Sequence, residues 1–379
     1  MFNSLVSFIR EQYHSNDFIP LHAPVFAGRE RDYVADTIES TFVSSVGAYV
    51  DRFEHDIAAY TASPRAIGTV NGTAALHIAL KLAGVAPGDL VITQPLTFVA
   101  TCNAIAYCGA EPIFVDVDRH TLGLSPVALE TWLTENAKVD DDNVCRSTAD
   151  GKVVRACVPM HTFGHPAELD ELLSVCARWQ LALVEDAAES LGSFYKGRHT
   201  GTIGLLGTLS FNGNKIITTG GGGMILTGEG LGNRAKHLTT TAKQPHPYEY
   251  VHDELGYNYR LPNINAALGC AQLEQLEAFV TQKRELASRY ADYFSDSDLE
   301  FVTEPAHCRS NYWLNAVICA DREQRDALLK ATNDKGVMTR PIWALMNHLP
   351  IYANCRKGTL NNAEWLEARV VNLPSSVLP

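Results

Sequence analysis

The sequence predicts an α/β protein: a large, mainly parallel sheet covered by helices (α/β/α), followed by a small α+β domain at the C-terminal end. Three observations carry this. Between residue 70 and about residue 230, apolar runs of strand length alternate with segments of helical period, the signature of repeated β-α-β crossovers. The chain has 379 residues, more than the roughly 250 to 300 at which a single core stops growing. After about residue 296 the pattern becomes a short strand, helix, strand succession instead of further crossovers.

Residues 1–30 read as an N-terminal segment that wraps onto the main domain, which spans 31–262. Within it, RAIGTV is a strand, and Asn71-Gly72-Thr73 opens a helix in which AALHIALKLAG keeps an apolar helical period up to Gly84. DLVITQP is a strand, Phe98 to Tyr107 a helix and PIFVDV a strand, each bounded by Gly or Pro. VVRACVPMHT reads as a strand, PAELDELLSVCARWQ as a helix, and LALVED as a buried strand that ends on two acids. TLSFNGNK and the glycine-rich GGGGMILT follow. A helical pattern from Asn263 to about Tyr293, with Pro262 at its start, predicts one long interdomain helix over 263–295. The small domain, 296–379, contains a strand at NYWLNAVICA, a helix at REQRDALLKATNDKG and a strand at VMTRPIW.

Hydrophobic residues at 46% and charged residues at 20% exclude a disordered or fibrous chain. A net charge of -12 argues against a nucleic-acid backbone or an anionic membrane as partner, since both require a dominant basic surface. The nine cysteines are scattered with no CxxC pair, so reduced, packed thiols are expected and no metal site. The first residues lack an apolar core of signal-peptide length, and no run of eighteen apolar residues occurs, so a cytoplasmic enzyme is expected.

Lys215 stands between the apolar TLSF and four consecutive glycines, where surface lysines are uncommon. A desolvated amine there is a nucleophile towards a carbonyl, although the same segment is equally compatible with a loop lysine. Gly220 to Gly223 have the wrong order for a P-loop, because the lysine precedes them; a tight backbone approach explains them better. Asp186 ends a buried strand at the carboxyl edge of the sheet, where ligands bind. It could hold a pyridine nitrogen protonated, cap a helix or bind a metal. The amides of Gly72 and Thr73 form a phosphate site or simply a capped helix start. Phe98, just past a strand end, either stacks on a planar ligand or belongs to the core.

Taken together, VNGTAALHIAL, PLTFVATCNAI, VEDAAESLGSFYKGRHTGTIG, SFNGNKIITTGGGGMILT and GYNYRLPNINAALG resemble, in order and spacing, the DegT/DnrJ/EryC1/StrS sugar aminotransferases. The resemblance runs from IPLHAPVFAGRERDYV to RPIWALMNHLPIY. It implies the aspartate aminotransferase-like fold, fold type I of the pyridoxal-phosphate (PLP) dependent transferases. It implies pyridoxal 5'-phosphate as cofactor, carried by Lys215 as a Schiff base, with Asp186 at the pyridine nitrogen, Phe98 stacked on the ring, and Gly72, Thr73 and Ser210 at the phosphate. Two positions depart from the common pattern: Glu189, where relatives usually carry Gln or His beside the phenolic oxygen, and Asn212, where many have the His of SFHxxK. Asn258 of GYNYR corresponds to a residue that reaches the phosphate of the neighbouring subunit, which implies a homodimer with shared sites.

The segment TTTAKQPHPYEYVHDELGYNYR is most similar to the subgroup acting on UDP-linked 4-keto-6-deoxy-N-acetylhexosamines, of the legionaminic acid and bacillosamine type. The expected reaction is therefore transfer of an amino group from L-glutamate to C4 of such a nucleotide sugar, with Lys243, Trp343 and His348 as candidate sugar-nucleotide contacts. The alternatives are a dTDP- or GDP-linked acceptor, a PLP-dependent dehydratase or lyase on a nucleotide sugar, and a non-enzymatic sensor. Retention of Lys215 speaks against the dehydratase branch, in which His replaces it.

Overall fold

A computed structural model describes residues 2–378. In chain order, the elements that build the site are α1 (Asn3–Gln12), β1 (Arg65–Thr69), α2 (Gly72–Leu82), β2 (Leu90–Thr93), α3 (Val99–Tyr107), β3 (Glu111–Phe114), β4 (Val154–Val158), α4 (Leu169–Arg178), β5 (Ala182–Asp186), β6 (Leu206–Ser210) and β7 (Gly223–Thr227). The seven strands form one sheet in the order β1-β7-β6-β5-β4-β2-β3. β6, β5, β4, β2 and β3 pair in parallel, whereas β7 runs antiparallel to both β1 and β6.

The strands are apolar on both faces because helices cover both. Leu90 and Ile92 pack into a cluster with Leu133 and Leu172, while Val91 points the opposite way to Leu76 and Ile105. Both faces being buried removes the alternation of a half-exposed strand, which is why these segments read as continuous apolar runs.

The predicted long helix is two helices, α5 (Asn263–Leu273) and α6 (Leu276–Phe294). They part at Glu274-Gln275, where the side-chain amides of Gln272 and Gln275 both donate to Glu30, each at 2.7 Å. This long-range grip leaves no mark in the local helical period. The second sheet contains β8 (Glu300–Phe301), β9 (Asn315–Ile318), β10 (Arg340–Pro341) and β11 (Val370–Leu373), all antiparallel in the order β8-β9-β11-β10. The strand expected over VMTRPIW shrinks to two residues, and β11, which sequence reading missed, lies between β9 and β10.

The N-terminal segment lands on this smaller sheet. Leu5 and Ile9 of α1 pack with Leu286 and Tyr290 of α6 and with Val317 and Val371. Beyond α1, Leu21 accepts from the Ser375 amide at 2.7 Å, so the N-terminal leg runs beside the C-terminal tail. All nine cysteines are free thiols, buried except for the half-buried Cys308 and Cys355. Among the described residues no helix is long and apolar enough to cross a membrane.

Candidate active site

The carboxyl ends of β5 and β6 and the N-terminus of α2 converge on a cavity of about 400 Å³. At one end, Asn71 caps α2, its Oδ1 accepting from the Ala74 amide at 2.8 Å. Among the described residues nothing accepts from the amides of Gly72 and Thr73, which remain free at the positive end of the helix. A Cβ at Gly72 would meet Ser210 Cβ at 2.9 Å, and one at Gly223 would lie 2.5 Å from the Asn71 carbonyl. Glycine at both positions therefore lets the ends of β6 and β7 press against the helix terminus and brings the Ser210 hydroxyl beside the free amides.

The two acids ending β5 point to opposite faces, as strand alternation requires. Glu185 accepts from the amides of Gly201, Ile203 and Gly204 at 2.6 to 2.7 Å and lies 3.1 Å from His161 Nε2. Because His161 Nδ1 accepts from the Ala167 amide, its Nε2 carries the proton and donates to Glu185. Asp186 faces the cavity. Its Oδ2 accepts from Thr101 Oγ1 at 2.7 Å and its Oδ1 from the Ala188 amide at 3.2 Å. Thr101 spends its proton on Asp186, so Thr97 donates to Thr101 across their 2.9 Å contact. Burial lifts the Asp186 carboxyl above its ordinary range, and the Thr101 bond offsets this only in part.

Lys215 lies on the connection from β6 to β7. Its Nζ is 3.3 Å from Glu189 Oε1 and 3.9 Å from the centre of the Trp313 ring, with 12% of the side chain exposed. The Trp313 indole N–H donates to the Asn214 carbonyl at 2.7 Å, which locks the ring over the same connection. Glu189 is buried; its Oε2 accepts from the Phe163 amide at 3.0 Å while Oε1 faces Lys215. A carboxyl at this position is thus matched by a donor on each oxygen. Burial nonetheless pushes it up to about 7, against the opposing pull of the Lys215 charge.

That shift has a stability consequence. Between the ordinary carboxylate range and about pH 7, folded Glu189 holds a proton that the unfolded chain has released, so stability falls as pH rises through this window. In cofactor-free protein, Glu189→Gln should remove that slope, a difference of at most about 3 kcal/mol by pH 7. Urea titrations of both proteins at a series of pH values measure it; parallel stability curves would contradict the assignment.

The cavity wall brings together Gly72, Thr73, Phe98, Asp186, Glu189, Ser210, Asn212, Lys215 and Trp343. Phe98 is 52% exposed, so its ring is an open face and not core. Asn212 donates to Asn214 Oδ1 at 3.1 Å. Three expected residues lie elsewhere in the chain, outside the cavity. Asn258 is exposed and accepts from Arg260 Nε at 3.0 Å, Lys243 is exposed with its ammonium 4.4 Å from the Tyr250 ring centre, and His348 is exposed 3.4 Å from Glu367. Sequence reasoning missed Thr101, whose hydroxyl is one helical turn from Thr97, and Trp313, which arrives from the smaller sheet with no local signal.

Residues 25–378 match the model of the DegT/DnrJ/EryC1/StrS aminotransferase family. The chain belongs to this family. It is 37% identical over 360 residues to a GDP-perosamine synthase of Escherichia coli O157:H7, covering 94% of this chain and 93% of that protein. It is 35% identical to a GDP-perosamine synthase of Caulobacter vibrioides, again over 94% and 93% of the two chains. The solved aminotransferase TlmJ from Streptoalloteichus hindustanus superposes with a TM-score of 0.84 at 29% identity, covering 94% of this chain and 93% of that one. As a DegT/DnrJ/EryC1/StrS aminotransferase the chain has fold type I and uses pyridoxal 5'-phosphate. The cavity fits that group: free helix amides and a hydroxyl for a phosphate, a buried carboxyl without an ion-pair partner among the described residues for a ring N–H, an open phenyl face, and a lysine amine.

Proposed function

We propose that the protein transfers the amino group of L-glutamate to C4 of a GDP-linked 4-keto-6-deoxy sugar. The observation that carries the choice of nucleotide is the likeness, over nearly the whole chain, to proteins named GDP-perosamine synthase. It moves the GDP acceptor ahead of the UDP-linked N-acetylhexosamine that the 239–260 segment suggested.

Bound pyridoxal phosphate supplies the electron sink and carries the amino group between donor and acceptor. The protein's residues do the rest. Gly72, Thr73 and Ser210 would bind the phosphate. Asp186 would hold a proton on the ring nitrogen, and Thr101 keeps that carboxylate turned towards the cavity. Phe98 would pack against the ring. Lys215 would hold the cofactor and move the proton between the substrate carbon and C4' of that group. Glu189 accepts from the Lys215 amine and so keeps it over the reacting face. Trp343 walls the sugar side.

Asn258, Lys243 and His348 lie outside the cavity of their own protomer, which accords with a homodimer in which Asn258 and Lys243 serve the neighbour's site. Tyr248, Tyr250 and Leu255, each about four-fifths exposed, supply an apolar surface on that same segment. We place the enzyme in the cytoplasm, where nucleotide sugars and glutamate are available.

A panel of GDP-, UDP- and dTDP-linked 4-keto-6-deoxy sugars, each supplied with glutamate and followed by mass for the amino sugar, tests the reading. The GDP substrate should exceed the others in kcat/KM by about tenfold or more. Preference for a UDP sugar restores the other acceptor, and conversion without consumption of glutamate removes the aminotransferase reading.

A further inference from the structure

Lys283 lies on α6 with its side chain fully buried. Its Nζ donates to the carbonyl of Trp313 at 3.1 Å and to the carbonyl of Ser375. Among the described residues no carboxylate lies within ion-pair distance of it. Among the described residues, His22 of the N-terminal leg, whose ring nitrogens are buried without partners, feels the Lys283 charge, while Tyr290, also on α6, donates to the neighbouring Pro374 carbonyl. Burial lowers the Lys283 amine to about 7. An unpaired buried lysine is costly, and an apolar residue of the same length would fill the space without that cost.

The groups it holds suggest its purpose. The carbonyls of Pro374, Ser375 and Ser376 are taken in turn by Tyr290, Lys283 and Tyr13, which fixes the C-terminal tail. The other carbonyl belongs to Trp313, the residue whose indole lies against the Lys215 amine. Trp313 is held at two further points: its amide donates to Asn311 Oδ1 at 2.8 Å and its indole to Asn214. Asn311 in turn donates to the carbonyls of Glu189 and Leu191, both at 2.9 Å. Its Oδ1 lies where a Cβ on Gly164, at φ +97°, would come within 1.9 Å. Residues 311–313 thus form a bracket touching both members of the Lys215–Glu189 pair, and Lys283 ties that bracket to α6 and the tail.

We propose that Lys283 is a positioning residue for amino transfer: through the Trp313 carbonyl it sets the indole face against Lys215 and thereby the placement of that amine beside Glu189. This rests on the reading of Lys215 as the lysine that carries the cofactor.

The test is a double-mutant cycle on the holoenzyme. Lys283→Met should lower kcat about tenfold while KM for glutamate stays within about twofold, and should move the pH midpoint of the visible absorbance band by about half a unit or more. In a Trp313→Leu background the same change should alter kcat by less than about twofold, because the ring face it acts through is gone. In the cofactor-free full-length chain, the rate at which cyanate modifies Lys215, read from the peptide mass, should change about threefold in Lys283→Met. Where the Met variant does not yield folded protein, the same measurements are made on Lys283→Gln, whose amide offers two N–H donors on a shorter side chain. Full additivity of the two substitutions, or unchanged kcat and cyanate rate, overturns the role of Lys283. Borohydride reduction of the wild-type holoenzyme separates the two possible failures. Cofactor fixed on another lysine overturns the Lys215 reading and the proposal with it, whereas cofactor on Lys215 with additive effects overturns the proposal alone.

Discussion

Lys215→Ala should abolish turnover, by a factor of at least about 10³, and remove the visible absorbance that a lysine-bound cofactor shows. The variant should still fold. Only 12% of its side chain is exposed, and its partner Glu189 keeps the Phe163 amide, so the buried carboxyl responds by binding a proton. The gap left beside Trp313 is open to the cavity, and a small primary alkylamine should restore part of the activity by occupying it. Absorbance spectra and steady-state rates with and without added amine measure both effects. A variant that transaminates at the wild-type rate, or keeps the band, removes Lys215 from the mechanism.

Asp186→Asn should lower kcat by about 10² to 10³ while the cofactor stays bound. The amide oxygen can accept from Thr101 but then faces the Ala188 amide with its NH2, a modest local cost, while a neutral amide gives a ring N–H no countercharge in a buried site. Cofactor content by absorbance together with kcat decides the matter: full activity, or loss of cofactor in proportion to loss of activity, would each contradict this role. The effect should differ from that of Lys215→Ala in kind, since one change would remove the amine proposed to move the proton and the other would weaken the electron sink.

Most of the large sheet was legible because its evidence is local. The runs around Leu90 and Val154 carry strand length and apolarity, and the Asn71 cap marks the start of α2 in three residues. The walls of the cavity were legible for a different reason: Asp186, Ser210 and Lys215 stand at strand ends within one stretch of chain, and the resemblance to a known family put roles on them. What escaped depends on contacts distant in sequence. Glu30 grips the residues at the break between α5 and α6, β11 is recognisable by its pairing with β9 and β10, and Trp313 meets Lys215 from the segment before β9 while Lys283 of α6 holds the Trp313 carbonyl. Asn258, Lys243 and His348 show the converse limit. Residue type and motif selected them, but the fold does not bring them to the cavity.

The opposed pair at the end of β5 makes this strand intolerant of a change in phase. Glu185 anchors the 201–204 loop on one face and Asp186 serves the cavity on the other. Deleting or inserting a single residue within β5 would exchange the two sides, turning the loop's anchor into the cavity and the cavity's carboxylate onto the loop. Point substitutions sample these two functions separately, whereas a one-residue frame slip would forfeit scaffold and chemistry together. Length changes should therefore be tolerated only in the connections flanking this strand.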